Sequence, residues 1–206
     1  MEKFLSLSEE RQTTITDAAM KSFGSNGYKK TSVSDIAKAA GISKAMVFHY
    51  FGTKRSLYFY LINYSSHIIM NEIKDKFDTT ITDFFDRITL TSNIKMAVLK
   101  KHPPLLCFLK SAFFEKDEDV EADIKALIAS SEGESLRNKI VFDGMDTSKF
   151  KAGVDIKLVM KMLIWFAEGF MSEFTGKSEL DIESFCNEYY KCMDLLKNNL
   201  YKEEYL

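Results

Sequence analysis

The stretch Val33-Ser-Asp-Ile-Ala-Lys-Ala-Ala-Gly-Ile-Ser-Lys-Ala-Met-Val-Phe-His-Tyr-Phe51 decides the fold. Ser32 precedes it and Asp35 follows three residues on, the capping-box spacing, just ahead of Ile36 and Ala37. Ala37 is small where a second helix must cross the first at close range. Gly41, four residues later, suits a turn with positive φ, a conformation that only glycine adopts cheaply. Ser43 caps the next helix, Val47 points back into the pair, and Ile36, Ala40 and Ile42 complete the core between the two. A helix-turn-helix requires this combination, with its second helix offered to the DNA major groove. Ala and Gly at four-residue spacing would by themselves better fit a helical hairpin with no DNA role. The apolar set, the caps and a local excess of basic charge turn the reading toward DNA.

Helical geometry says which side chains of the second helix face outward. With Val47 as the inward direction, Ala45 and His49 lie about 200° away, and Met46 and Phe48 flank them at about 100° to either side. Lys44, Tyr50 and Phe51 return toward the protein or the rim. Exposed His, Phe and Met on so short a helix make sense if base edges and thymine methyls cover them. Ser43 puts backbone N–H groups and the positive helix end where a phosphate could sit. Lys54, in the first turn of the following helix, is placed for a second phosphate.

Helical spacing continues outward in both directions. Ile15, Ala18, Ala19, Ser22 and Phe23 recur at three and four, and Gly24-Ser-Asn-Gly27 supplies a stop. Further helices are predicted at about 54–78, 82–101, 104–116 (after His102-Pro103-Pro104), 119–142, 155–175 and 179–203. The 206 residues include 9 Gly and 2 Pro, about 5% against a usual 12% or so for the two together. So few turn-formers disfavour an all-β fold. An all-α chain of about nine helices is expected, with a helix-turn-helix domain over 1–53 and a helical effector-binding and dimerisation domain over 54–206.

Charge is shared unevenly. Residues 1–57 carry nine basic and five acidic side chains, whereas the remaining 149 carry 19 basic and 25 acidic. A basic end on an acidic body suits contact with a polyanion. The most apolar stretch, Val159 to Phe174, is interrupted by Lys161, Glu168 and Glu173, so no membrane span is expected. No secretory signal opens the chain, and a cytoplasmic location is expected. Cys107, Cys186 and Cys192 form no CxxC pair and the three histidines lie far apart, so neither metal nor cofactor is expected.

At this point the residues resemble the TetR/AcrR family of bacterial transcriptional regulators. The likeness runs through Phe23-Gly-Ser-Asn-Gly-Tyr28, Thr31-Ser-Val33, Asp35-Ile-Ala37, Ala40-Gly-Ile-Ser43, Tyr50-Phe51 and Lys54-Arg-Ser-Leu57, about 50 residues in all. It implies DNA contacts at Lys44, Ala45, His49 and Tyr50, a phosphate contact at Lys54, and backbone contacts near Thr31 and Ser32. Two positions depart from the family, which commonly has Gly in place of Ala45 and Tyr in place of Phe48. The resemblance further implies a homodimer whose C-terminal domain binds a small molecule.

The C-terminal residues fit those implications on their own terms. Ile182, Phe185, Tyr189, Met193, Leu196 and Leu200 form one stripe, and Leu158, Val159, Met162, Leu163, Trp165, Phe166 and Phe170 make the preceding helix apolar nearly all round. Leu158, Met162, Phe185, Tyr189, Met193 and Leu196 are therefore the expected dimer contacts. A helix buried within a monomeric core is the alternative. Phe84, Phe108, Phe113, Trp165 and Phe166 are the expected walls of an apolar effector pocket, with Cys107, His102 and Glu168 as conceivable polar contacts. The whole suggests a repressor released from a pseudo-palindromic operator by a hydrophobic effector. The rivals are an effector-independent DNA-binding protein on the same fold and an all-helical enzyme or carrier. No nucleophile–base pair, phosphate loop or HExxH supports the enzyme.

Overall fold

The structure, a computed structural model, describes residues 1–128, 131–173 and 182–206; among these the side chains of 128, 131–134, 136, 137, 170, 171, 173, 182 and 185 are left aside. The described residues form eleven α-helices and no strand. A one-turn helix, α1 (Glu2–Leu5), opens the chain and was not foreseen from periodicity. Phe4 holds it, fully buried, with its ring 4.7 Å from Phe51 and 5.5 Å from Tyr60.

Helix α2 (Glu9–Lys30) starts at Ser8, whose hydroxyl accepts from the Arg11 N–H, with Glu9 and Glu10 beside the positive helix end. It breaks at Gly27, where φ is +72°, the last residue of the expected stop, and one further turn follows. Helices α3 (Val33–Ala39), α4 (Lys44–Phe51) and α5 (Lys54–Lys76) come next. They are followed by α6 (Phe84–Lys101) and α7 (Pro103–Phe113), whose first turn carries Pro103 and Pro104 as expected of N-terminal prolines. The segment read as one helix over 119–142 holds α8 (Glu121–Ile128) and α9 (Ser131–Phe142), with residues 129 and 130 outside the described set. Helices α10 (Ile156–Glu173) and α11 (Ile182–Leu200) complete the chain, and the intervening 174–181 are not described. No described helix is long and apolar enough to cross a membrane.

The chain folds as two units, each with its own core. The first takes residues 1–77 and 91–136, the second 78–90 and 137–206. The first core runs without interruption from Phe4 through Ile15, Phe23, Ile36, Val47, Leu57, Tyr58 and Leu105 to Phe108 and Ile124. The helix-turn-helix therefore shares its apolar interior with α5, α7 and α8. Aromatic edges knit it together: Tyr58 lies 4.9 Å from Phe23, 5.1 Å from Tyr28 and 5.3 Å from Phe108, each T-shaped. Helices α2 and α7 cross so closely that a Cβ on Gly24 would meet Cys107 carbonyl carbon and Cβ at 2.9 Å.

The second unit packs Phe84, Phe85, Ile88, Val141, Phe150, Val159, Leu163, Met193 and Tyr201. Asp83 anchors its polar edge. One carboxylate oxygen accepts the N–H groups of Phe85 and Asp86 at the start of α6, and the carboxylate pairs with Lys149 at 2.9 Å and Lys197 at 3.5 Å. Burial alone would raise the Asp83 pKa, but the lysines and N–H donors outweigh it and hold the pKa below the ordinary value. Buried Arg87 donates to the carbonyls of Ile140 at 2.9 Å and Ile81 at 3.1 Å. An antiparallel bridge, Phe150 with Tyr201, ties the segment before α10 to the end of α11.

Candidate nucleic-acid interface

The turn between α3 and α4 is fixed from three sides. Gly41 takes φ +63°, the Ile42 N–H donates to the Ala37 carbonyl at 3.0 Å, and the Arg11 guanidinium reaches across from α2 to the Gly41 carbonyl at 3.1 Å. Arg11 was not singled out in the sequence, and no local pattern marks it, since its partner lies 30 residues away. Ser32 caps α3 by accepting from the Ser34 N–H, and the Asp35 N–H goes to the Ser32 carbonyl instead of its hydroxyl. Ser43 caps α4 by accepting from the Met46 N–H at 3.2 Å. The Met46 N–H also approaches the Ser43 carbonyl at 3.0 Å, and the first turn carries the positive end of the helix.

Helix α4 is seated by Val47, Tyr50 and Phe51, all buried. Its other side is open. Lys44, Ala45, Met46, Phe48 and His49 are exposed, with Met46 at 38% and Phe48 at 40%. This is the arrangement that the inward direction of Val47 dictates. The Lys44 ammonium lies 6.0 Å from the centre of the Phe48 ring.

Three residues named with this surface are placed otherwise. Tyr50 is only 6% exposed, its ring edge-on to Phe4 at 6.0 Å, so it belongs to the core side of α4, as its helical angle requires. Thr31 is buried and donates its hydroxyl to the carbonyls of Gly27 at 2.6 Å and Ser22 at 3.0 Å, locking the kink in α2. Lys54 is half-buried. Its ammonium donates to the Tyr28 carbonyl at 3.0 Å, approaches those of Lys29 and Thr31 at 3.5 Å, and sits 4.3 Å over the Tyr28 ring. The ammonium is thus held against carbonyls at the end of α2. Ser32 remains exposed beside α3.

Glu115, past the end of α7, also went unremarked in the sequence. One carboxylate oxygen accepts the Tyr28 N–H at 2.6 Å, just after the Gly27 kink, and the other accepts the N–H groups of Lys116 and Asp117. Ser111 donates to the Phe23 carbonyl at 3.0 Å. Helix α7 thus grips the end of α2 through side chains that sequence spacing gives no reason to connect.

The expected effector walls are divided between the two units. Phe108 is fully buried in the first core and Phe84 in the second, so both are packed interior. Phe113 is exposed and meets Phe114 edge-on at 5.0 Å. Trp165 is 60% exposed on α10, and Phe166 is half-buried near Tyr189 at 6.3 Å. Cys107, His102 and Glu168 are exposed. An open groove of about 370 Å³ in the first unit is lined by Arg55, Phe59, Asn63, Asp123, Ala126 and Leu127, none of them anticipated. Arg55 and Asp123 form an ion pair across it.

Among the expected dimer contacts, Leu158 and Met162 are exposed on α10, on the same face as Trp165; Leu195, which was not among them, is exposed on α11. Tyr189 and Leu196 are half-buried. Met193 is instead buried in the core of the second unit, and the Phe185 side chain lies outside the described residues.

Comparison with known proteins agrees with this architecture. Residues 15–61 match the family model described as bacterial regulatory proteins, tetR family. The uncharacterised HTH-type transcriptional regulator YuxN of Bacillus subtilis is 29% identical over 126 residues. That match takes in 60% of this chain but 42% of YuxN, so the chain spans less than half of that relative. A TetR-family regulator from Chloroflexus aurantiacus superposes with TM-score 0.70 at 18% identity, covering 98% of this chain and 99% of the other. FadR from Bacillus subtilis, solved in complex with stearoyl-CoA, gives TM-score 0.68 at 18% identity over 88% and 96% of the two chains. Residues 15–61 thus carry the N-terminal domain of the tetR family of bacterial regulatory proteins, and the described helices take the fold of TetR-family regulators.

Proposed function

We propose that the protein is a sequence-specific regulator of transcription, most simply a repressor, which binds a pseudo-palindromic operator as a homodimer and is released by a hydrophobic effector. One observation carries the DNA part. Five side chains of α4, Lys44, Ala45, Met46, Phe48 and His49, project together from a helix whose opposite side is locked into the core. A face so held can enter a major groove without reorganising. Two copies would read half-sites one helical turn apart, about 34–36 Å.

The exposed apolar face of Leu158, Met162 and Trp165 on α10, with Leu195 on α11, supports pairing with a second copy. Long-chain acyl thioesters are the first effector class to try, because structurally similar FadR was solved with stearoyl-CoA. A second reading, DNA binding without an effector, draws on Phe84 and Phe108, which fill cores instead of lining a space.

The test is binding of the purified chain to DNA flanking its own coding region, followed against salt. Lys44→Ala should lower affinity for all duplexes and reduce the salt slope by about one. His49→Ala should change which sequence is preferred. Parental behaviour in both variants would remove α4 from the interface. Leu158→Glu with Trp165→Glu should halve the mass in sedimentation, and added stearoyl-CoA should weaken operator binding. An unchanged affinity over a range of acyl thioesters and other apolar ligands would favour the effector-free reading.

A further inference from the structure

We infer that α4 selects its half-site mainly through thymine 5-methyl groups, and only secondarily through hydrogen bonds to guanine or adenine. The inference rests on the DNA-binding role proposed above. Residues 28–54 contain no Arg, Asn, Gln or Glu. Arg and Lys pair bidentately with guanine, Asn and Gln pair so with adenine, and Glu and Asp accept from cytosine, so of these readers α3 and α4 retain Asp35, Lys38 and Lys44 alone. Asp35 is exposed but belongs to the first turn of α3, not to α4. Arg11 is engaged with the Gly41 carbonyl, and Arg55 with Asp123.

What α4 offers instead is apolar. Ala45, Met46 and Phe48 make up three of its five outward side chains, and the two large ones flank His49 on either side. In the major groove the thymine methyl is the apolar group that distinguishes one base from the other three, and Ala and Phe are among the residues that pack against it. A face with Met46 and Phe48 open to water gains by covering that methyl and gains nothing from a guanine edge. The Lys44 ammonium beside the Phe48 ring adds charge for the backbone or for a guanine acceptor, and His49 is the one other polar reader.

The experiment uses the full chain and a random duplex library. The enriched duplex is resynthesised with each thymine replaced in turn by deoxyuridine, which lacks only the methyl, and each guanine by 7-deazaguanine, which lacks the N7 acceptor. Deoxyuridine at one or more positions of each half-site should weaken binding about fourfold per methyl, the value expected for burying one such group. 7-Deazaguanine should cost less. Met46→Ala or Phe48→Ala should abolish the deoxyuridine penalty at its own position, with an unchanged unfolding midpoint showing that the fold is kept. Affinity unchanged by deoxyuridine at every thymine of an enriched duplex would overturn the inference and leave the DNA-binding reading intact. So would a penalty that persists in both variants. If no sequence is enriched at all, the DNA-binding reading fails first and this inference falls with it.

Discussion

Gly24→Ala gives the sharpest test of how α2 is held. In a helix interior, exchanging Gly for Ala ordinarily stabilises by about 0.5–1 kcal/mol. Here the new methyl would lie 2.9 Å from the Cys107 carbonyl carbon, 2.9 Å from its Cβ and 3.1 Å from the Phe108 nitrogen. Two of those three atoms are backbone, so no rotamer change relieves the clash. Ordinary contact begins at 3.4 Å, and the α2–α7 crossing must open by the shortfall. Overpacking of that kind costs about 1–3 kcal/mol, leaving a net loss of up to roughly 2 kcal/mol after the helix preference is credited. Gly169→Ala is the control, since nothing lies within 4 Å of a Cβ there. Urea unfolding of the two variants beside the parent, read at constant m, separates the effects: Gly169→Ala should unfold at higher denaturant and Gly24→Ala at lower. A Gly24→Ala protein stabilised as much as the control would show that the two helices do not approach as described.

Glu115→Ala strips the acceptor from the Tyr28 N–H at the kink and should destabilise by about 1–3 kcal/mol in thermal unfolding, with Glu115→Gln retaining part of the loss. Lys54→Ala should lower the unfolding midpoint yet leave the salt slope of DNA binding unchanged, because its ammonium already faces three carbonyls; a shallower slope would return it to the phosphate contacts. Asp83, with its pKa lowered in the folded state, supplies stability that is complete above its unfolded value near 3.8 and disappears as pH falls through the lower folded value. The unfolding midpoint of the parent should therefore drop over that acid range, and Asp83→Asn should flatten the dependence.

The part of the surface that could be read from sequence was the part governed by local geometry. Once Val47 is inward, a 100° step per residue fixes the exposure of Ala45, Met46, Phe48 and His49, and the same arithmetic turned Tyr50 toward the core. Family likeness, which carries no such geometry, put Tyr50 among the DNA contacts, whereas Lys54 was named both from that likeness and from its place in the first turn of α5. The seams between helices were harder. Glu115 meets Tyr28 across 87 positions and Arg11 meets Gly41 across 30, and no spacing rule links such pairs. Aromatic content alone did not distinguish wall from filling: Phe84 and Phe108 are sealed in separate cores while Trp165 stands in solvent. Helix α1 was missed because one turn has too few residues for a period, although Phe4 is as buried as any residue in the chain.

The most direct test of the outward face of α4 replaces Phe48 with the photoreactive p-benzoylphenylalanine and irradiates the protein on its selected duplex. The same substitution at Phe113, equally exposed at the end of α7, serves as the reference. Cross-links to DNA should form from position 48, fall on bases of the half-site, and be absent from position 113. Retained duplex binding with no cross-link from 48, or with equal yields from both positions, would contradict the placement of α4 in the groove.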